Sequence, residues 1–79
     1  MNDLDLGALI KANRKKAGLT QLELANLAGI GKTTVFDIEK NKKTIRWSNL
    51  LAVLEVLNIK IEFKSPLNRT ETMNHPQRI

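Results

Sequence analysis

Apolar residues recur at helical spacing through the first part of the chain and predict two short helices there. The first helix covers residues 4–17 and is stopped by Gly18. The second begins at Thr20, because Thr20 and Glu23 have the Thr-x-x-Glu spacing of a capping box, and it ends at Gly29. Capping chemistry and apolar spacing therefore agree on where these two helices begin and end.

Two further helices are predicted over residues 32–40 and 46–57. The last of them, RWSNLLAVLEVL, has more apolar surface than one buried face needs, because Val53 and Val56 lie on a flank beside its main apolar stripe. We expect one flank to face the core of the protein and the other to face a partner.

The period of the pattern changes after residue 58, where apolar and charged residues alternate as they do in a β-strand. This strand is predicted over residues 59–65, and no second strand is predicted to pair with it. We therefore expect it to pair with the same strand of a second copy in a homodimer. Residues 66–79 are polar, contain both prolines of the chain and are predicted to form a flexible tail. The predicted dimerisation residues are Val53, Val56, Ile59, Ile61 and Phe63.

The charge balance favours an anionic partner. The 79-residue chain has 13 Lys and Arg against 8 Asp and Glu, a net charge of +5 and an isoelectric point near 9.9. Such an excess favours nucleic acid, anionic lipid or an acidic protein. The chain has no cysteine, which excludes a disulfide framework, and no apolar run approaches the roughly 18 residues of a membrane span. We expect a cytoplasmic protein that does not insert into a membrane.

The sequence gives no support for an enzyme. His75 is the only histidine, and no cysteine accompanies it to complete a metal site. Ser48 and Ser65 have no plausible general base, so nucleophilic catalysis is not supported. We predict no catalytic residue, no metal, no cofactor and no small-molecule substrate.

The segment GIGKTT, residues 29–34, resembles the end of a nucleotide-binding loop. That loop requires a glycine at position 26 and a preceding strand. Asn26 and a predicted helix stand there instead, which excludes this kind of nucleotide site. Two short helices joined by a tight turn that contains glycine form the helix-turn-helix unit, and this alternative fits the segment better.

The stretch TQLELANLAGIGKTTVFDIEK resembles that unit as it occurs in the cro/C1 (phage repressor) type of family. Gln21 starts its first helix, Ala25 is small where the two helices cross, and Gly29 permits a left-handed turn. The resemblance covers about residues 4–58. It implies a mainly α, four-helix, lambda-repressor-like domain that binds double-stranded DNA.

Four residues of the third helix are candidates for contact with bases in the major groove. Lys32 can donate to guanine O6 and N7, and Thr33 can form a hydrogen bond or contact a thymine methyl group. Phe36 either contacts a thymine methyl group or packs against the second helix or the following loop. Asp37 either accepts from cytosine N4 or only tunes Lys40 nearby.

A second set of residues is expected to contact the phosphate backbone, which supplies affinity and salt dependence but no sequence choice. These residues lie at helix N-termini, where free N–H groups favour an anion, and in the basic loop after the third helix. They are Thr20, Gln21, Thr34, Lys40, Asn41, Lys42, Lys43 and Arg46. The family resemblance implies the contact by Gln21. It also implies an ion pair between Arg14 and Glu39 that ties the first helix to the end of the third.

The helix–strand junction LEVLNIKIEFKSP resembles more narrowly the HipB-like antitoxins, including the short y4mF type. In these proteins a C-terminal strand joins the dimer, and the antitoxin represses its own operon and binds a HipA-type kinase toxin. The organisation we expect is a DNA-binding domain over residues 1–58, a dimerisation strand over 59–65 and a tail over 66–79.

Three hypotheses follow. The first is a dimeric antitoxin and autorepressor that binds an inverted-repeat operator, with its two recognition helices about 34 Å apart. The second is a stand-alone repressor of the phage or restriction-controller type, without a toxin partner. The third is an adaptor or membrane-surface protein whose basic helices act electrostatically. A kinase-like toxin gene beside this one separates the first two, and lipid binding without an operator preference marks the third.

Overall fold

The computed structural model describes residues 5–64 and 70–71 of the chain. Four helices are present, and each lies within two residues of its predicted bounds: α1 (Leu6–Lys16), α2 (Gln21–Ala28), α3 (Lys32–Glu39) and α4 (Trp47–Val56). Two short strands follow, β1 (Phe63–Lys64) and β2 (Thr70–Glu71). Within these described residues, no helix has the length and apolar character needed to span a bilayer.

Side chains that accept from free backbone N–H groups fix the starts of α1 and α2. Asp5 accepts from the N–H of Ala8 at 2.9 Å and is the N-cap of α1. Thr20 and Glu23 form the predicted capping box: Glu23 N–H donates to the Thr20 hydroxyl at 3.0 Å, and Thr20 N–H donates to Glu23 Oε1 at 2.8 Å. A cap of this kind contributes about 1 kcal/mol. This contribution matters here because helices of 8 to 11 residues are marginal in isolation.

The turn between α2 and α3 depends on Gly29, whose φ of +73° lies in the left-handed region. The N–H of Ile30 then donates back to the carbonyl oxygen of Ala25 at 3.0 Å and closes the end of α2. The connection is therefore short, and α3 begins at Lys32 beside the helix that precedes it.

All four helices contribute to one core. Helix α2 packs against α3 and α4, and α1 packs against α3. The approach of α1 to α3 is close, because a Cβ atom placed on Gly7 would lie 2.5 Å from the carbonyl oxygen of Glu39. The buried apolar residues are Ile10, Leu24, Ala25, Val35, Ile38, Val53 and Leu54.

The C-terminal strand differs from the prediction in both length and pairing. Within the described part of the predicted strand, residues 59–64, only Phe63–Lys64 form a strand, and this strand pairs antiparallel with Thr70–Glu71 of the same chain. The expectation that the chain contains no second strand was therefore wrong. The partner escaped prediction because Thr70–Glu71 has no apolar alternation. The other residues of the expected tail, 66–69 and 72–79, lie outside the described residues.

One of the predicted dimerisation residues does not lie at the surface of the chain. Val53 is fully buried in the core of its own chain, so it cannot contact a second copy. The chain folds back after α4, where the N–H of Ile59 donates to the carbonyl oxygen of Leu54 at 2.8 Å. Ile59 and Ile61 then pack against the core, as Val56 does. The side chain of Phe63 lies outside the described part of the chain.

Candidate nucleic-acid interface

The start of α3 is open to solvent. Gly31 occupies the N-cap position and makes no side-chain cap, so the first N–H groups of α3 have no side-chain acceptor there. Lys32 and Thr33 follow and are both exposed, whereas Thr34 is half-buried. The positive end of the helix dipole and the Lys32 ammonium group therefore lie together at this surface.

Two helices contribute to this surface. Gln21, at the start of α2, lines a concavity together with Lys32, Thr33 and Phe36 of α3. We call these four residues the α2–α3 concavity. It joins residues that the sequence placed in two different sets, three of them predicted to contact bases and one predicted to contact phosphate.

Phe36 stands out among these residues because it is aromatic and 46% exposed. The ammonium nitrogen of Lys40, one helical turn later, lies 5.5 Å from the centroid of the Phe36 ring, within the range of a cation–π contact. Phe36 therefore lies beside α2 with part of its ring open to solvent, and its contact with a thymine methyl group stays a prediction.

Asp37 and Lys42, both predicted to contact DNA, are paired with each other. Their carboxylate and ammonium groups are 3.5 Å apart, and the side chain of Asp37 is only 25% exposed. A carboxylate in this position is already compensated by a cation of its own chain. The contact of Asp37 with a cytosine amino group stays a prediction, and it would compete with this pair.

Glu39 joins three helices through its carboxylate. Arg14 Nε donates to Glu39 Oε2 at 2.6 Å and Arg14 Nη2 to Oε1 at 3.2 Å, which links α1 to the end of α3. Gln21 Nε2 also donates to Oε1, at 3.1 Å. The first contact is the ion pair expected from the family resemblance. The second was missed, and it fixes the orientation of the Gln21 amide at the edge of the concavity.

Asn41 has a structural role that the sequence analysis did not foresee. Its side chain accepts from the N–H of Gly7 at 2.9 Å and donates to Asp5 Oδ1 at 2.7 Å, so it ties the end of α3 to the start of α1. The hydrogen bonds from Asn41 and from the Ala8 N–H hold the pKa of Asp5 below its ordinary value. The second N–H of the Asn41 amide remains available after the first has donated to Asp5, so the phosphate contact that we expected stays a prediction. Asn41 has a φ of +60°, in the left-handed region that asparagine tolerates.

The remaining predicted phosphate contacts lie around the two helix starts and in the loop after α3. Thr20 uses its hydroxyl in the capping box and remains exposed at the start of α2. Lys40, Lys43 and Arg46 are exposed between α3 and α4. These basic side chains and the concavity together form a cationic surface built around α3.

Comparison with known proteins gives matches over most of the chain. Residues 10–64 match the helix-turn-helix family. The chain is 38% identical over 65 residues to the uncharacterized HTH-type transcriptional regulator y4mF of Sinorhizobium fredii (strain NBRC 101917 / NGR234). The match covers 82% of this chain and 86% of that protein.

Three solved structures contain a chain of similar fold. A chain of the SinR–SinI protein complex is 36% identical with a TM-score of 0.61, and the match covers 68% of this chain and 53% of that chain, so this chain spans about half of that one. SinR, described as the master regulator for biofilm formation, in complex with DNA is 34% identical with a TM-score of 0.63, over 70% of this chain and 89% of that chain. A chain of the HipA–HipB–O2–O3 complex is 23% identical with a TM-score of 0.71, over 84% of this chain and 99% of that chain, which shows a common fold.

Proposed function

This chain belongs to the helix-turn-helix family of DNA-binding transcriptional regulators, and we propose that it represses transcription by placing the start of α3 in the major groove of a specific operator. The observation that carries this proposal is the α2–α3 concavity, where exposed Lys32 and Thr33 stand at an uncapped helix start beside Gln21. The similarity to SinR, solved in complex with DNA, supports the same use of this surface.

Base recognition is assigned to the exposed side chains at the start of α3. Lys32 donates to guanine O6 and N7, and Thr33 contacts the neighbouring base pair. The pairing of Asp37 with Lys42 argues against a leading role for Asp37 in reading cytosine.

Phosphate contacts are assigned to groups at the edge of the same surface. The second N–H of the Gln21 amide remains available after the first has donated to Glu39. The other members are Thr20, Thr34, Lys40, Asn41, Lys42, Lys43 and Arg46. Their contacts supply affinity and salt dependence.

A pair of substitutions tests this division between base and backbone contacts. Lys32→Ala should change which bases are preferred at one operator position, with a cost of about 1–3 kcal/mol at that position. Lys43→Ala is the matched control, because Lys43 is an exposed lysine of the loop and, unlike Lys42, has no ion pair within the described residues. It should weaken binding to all sequences alike and reduce the salt slope by about one. If both variants lower affinity in parallel at every sequence, the assignment of Lys32 to bases is wrong.

We propose further that two copies bind an inverted repeat as a homodimer, with their recognition helices about 34 Å apart. A core as small as this one favours assembly, and Val56, Ile59 and Ile61 provide half-buried apolar surface at the end of α4 and just after it. Sedimentation of the full chain over a range of concentrations measures the assembly directly. A monomer at the concentrations that saturate an inverted repeat contradicts the proposed dimer.

The narrower proposal is that the protein is an antitoxin that represses its own operon and neutralises a HipA-type kinase toxin. It is supported by the HipB-like pattern of residues at the helix–strand junction, LEVLNIKIEFKSP. The alternative is a repressor without a toxin, and the similarity to the regulator SinR favours this second function. Purification of the tagged full chain from its host separates the two: a kinase encoded by the adjacent gene co-purifies with an antitoxin. With a stand-alone repressor, only the operator is recovered.

A further inference from the structure

Phe36 is a large aromatic side chain on a surface that is otherwise polar. Its neighbours in the chain, Val35 and Asp37, are buried and half-buried respectively, yet Phe36 itself is 46% exposed. It shares the α2–α3 concavity with the ammonium group of Lys32 and the hydroxyl group of Thr33. The concavity therefore offers an apolar surface surrounded by hydrogen-bond donors.

The polar groups near Phe36 favour one kind of base edge over another. In the major groove, cytosine presents an amino donor, whereas thymine presents an O4 acceptor and a 5-methyl group. The carboxylate of Asp37, which would suit the cytosine amino group, is paired with Lys42 at 3.5 Å. Lys32 can donate to an O4 acceptor, and the exposed part of the Phe36 ring can contact a methyl group. The methyl contact of Phe36 therefore favours thymine over cytosine, whereas Lys32 suits thymine O4 as well as the guanine O6 and N7 already assigned to it.

We propose that Phe36 is a specificity-determining residue that recognises the 5-methyl group of a pyrimidine in the major groove. It selects thymine over cytosine at one position of each half-site, and this inference rests on the proposed function. 5-Methylcytosine carries the same methyl group, so methylation of a cytosine at that position strengthens binding. The affinity of the protein for its operator then depends on DNA methylation as well as on base sequence.

Replacement of single thymines by deoxyuridine tests this inference, since it removes the methyl group and nothing else. The probe is the duplex that the full-length protein enriches from a random library. Dissociation constants are measured by fluorescence anisotropy at low salt, where phosphate contacts keep weak variants bound. At one thymine of each half-site we expect deoxyuridine to weaken binding about fourfold, the value of one buried methyl group. Cytosine at that position should bind about fourfold more weakly than 5-methylcytosine, for the same reason.

Two variants identify the side chain responsible. Phe36→Ala should abolish the difference between thymine and deoxyuridine, and because Phe36 is exposed and does not belong to the core, the variant should keep its fold. Thr33→Ser, which deletes the other methyl group in the concavity, should leave the difference intact. The inference is overturned if no thymine shows a methyl effect in the wild-type protein, or if the effect persists in Phe36→Ala. Failure of the proposed function is distinguishable, because in that case the library yields no enriched sequence.

Discussion

The contact whose loss should cost most stability is the ion pair between Arg14 and Glu39. The two side chains are only 9% and 4% exposed, so the charges are held away from water. Without Glu39, the Arg14 guanidinium would remain buried, with the carbonyl oxygen of Leu19 at 2.8 Å as its other acceptor. Breaking a buried pair by removing one partner costs roughly 3–5 kcal/mol.

That cost is large for a chain of this size. At roughly 0.05–0.15 kcal/mol per residue, a domain of this length has a total stability of about 4–12 kcal/mol. We therefore expect Glu39→Ala to leave the protein close to its unfolding threshold at 25 °C. Glu39→Gln keeps the shape of the side chain and removes the charge, and it should recover only part of the loss.

The test is a double-mutant cycle followed by urea denaturation and far-UV circular dichroism. Arg14→Met combined with Glu39→Met removes both charges, so the double variant should be far more stable than the sum of the single losses predicts. The exposed pair Asp37–Lys42 serves as the control, because Lys42 is 56% exposed and such pairs contribute about 0–1 kcal/mol. Strictly additive costs at Arg14 and Glu39 would refute the reasoning, since they would mean that the two charges do not compensate each other.

Two further predictions concern the junction between α1 and α3. Gly7→Ala should destabilise the fold by about 1–3 kcal/mol, because the added Cβ would lie 2.5 Å from the backbone oxygen of Glu39. Gly31→Ala is the control and should cost much less, because a Cβ there has no neighbour closer than 4.0 Å. Equal losses of stability in chemical denaturation would contradict this prediction. Asp5, whose pKa is lowered mainly by its hydrogen bond from Asn41, contributes stability that is present above the ordinary aspartate pKa of about 3.9 and is lost as the pH falls below it. The thermal midpoint of Asp5→Ala should therefore fall less steeply with acidification than that of the wild-type protein, and parallel curves would contradict the assignment.

The helices were predictable because their determinants are local. Thr20 and Glu23 are three residues apart, and Gly29 needs only its own backbone angle to end α2. Apolar spacing then indicates which face of each helix is buried. The exposed start of α3 follows from the same pattern, since Lys32 and Thr33 precede its first buried residue, Val35.

The errors concern contacts between segments that are distant in the sequence. Val53 was expected at a dimer surface because its helix has two apolar flanks. The apolar periodicity alone does not tell which of the two flanks lies in the core of the chain. The bridge from Asn41 to Asp5 spans 36 positions and has no local signature. The pairing of Phe63 with Glu71 was missed for a related reason: a two-residue strand is too short to show alternation.

The proposed DNA-binding surface has fewer uncompensated positive charges than the sequence implies. Counted by residue type, α3 and the loop after it present a dense row of cations, but Lys42 is compensated by Asp37 and Lys40 lies over Phe36. Gln21 in turn is held by Glu39, the same carboxylate that holds Arg14. The core and the proposed interface are thus coupled through one side chain. A Glu39 variant can lose DNA affinity because it is partly unfolded, so its affinity must be corrected for the folded fraction before it is compared. Lys32 and Thr33 are exposed, so a loss of affinity in their variants reflects a change at the interface directly.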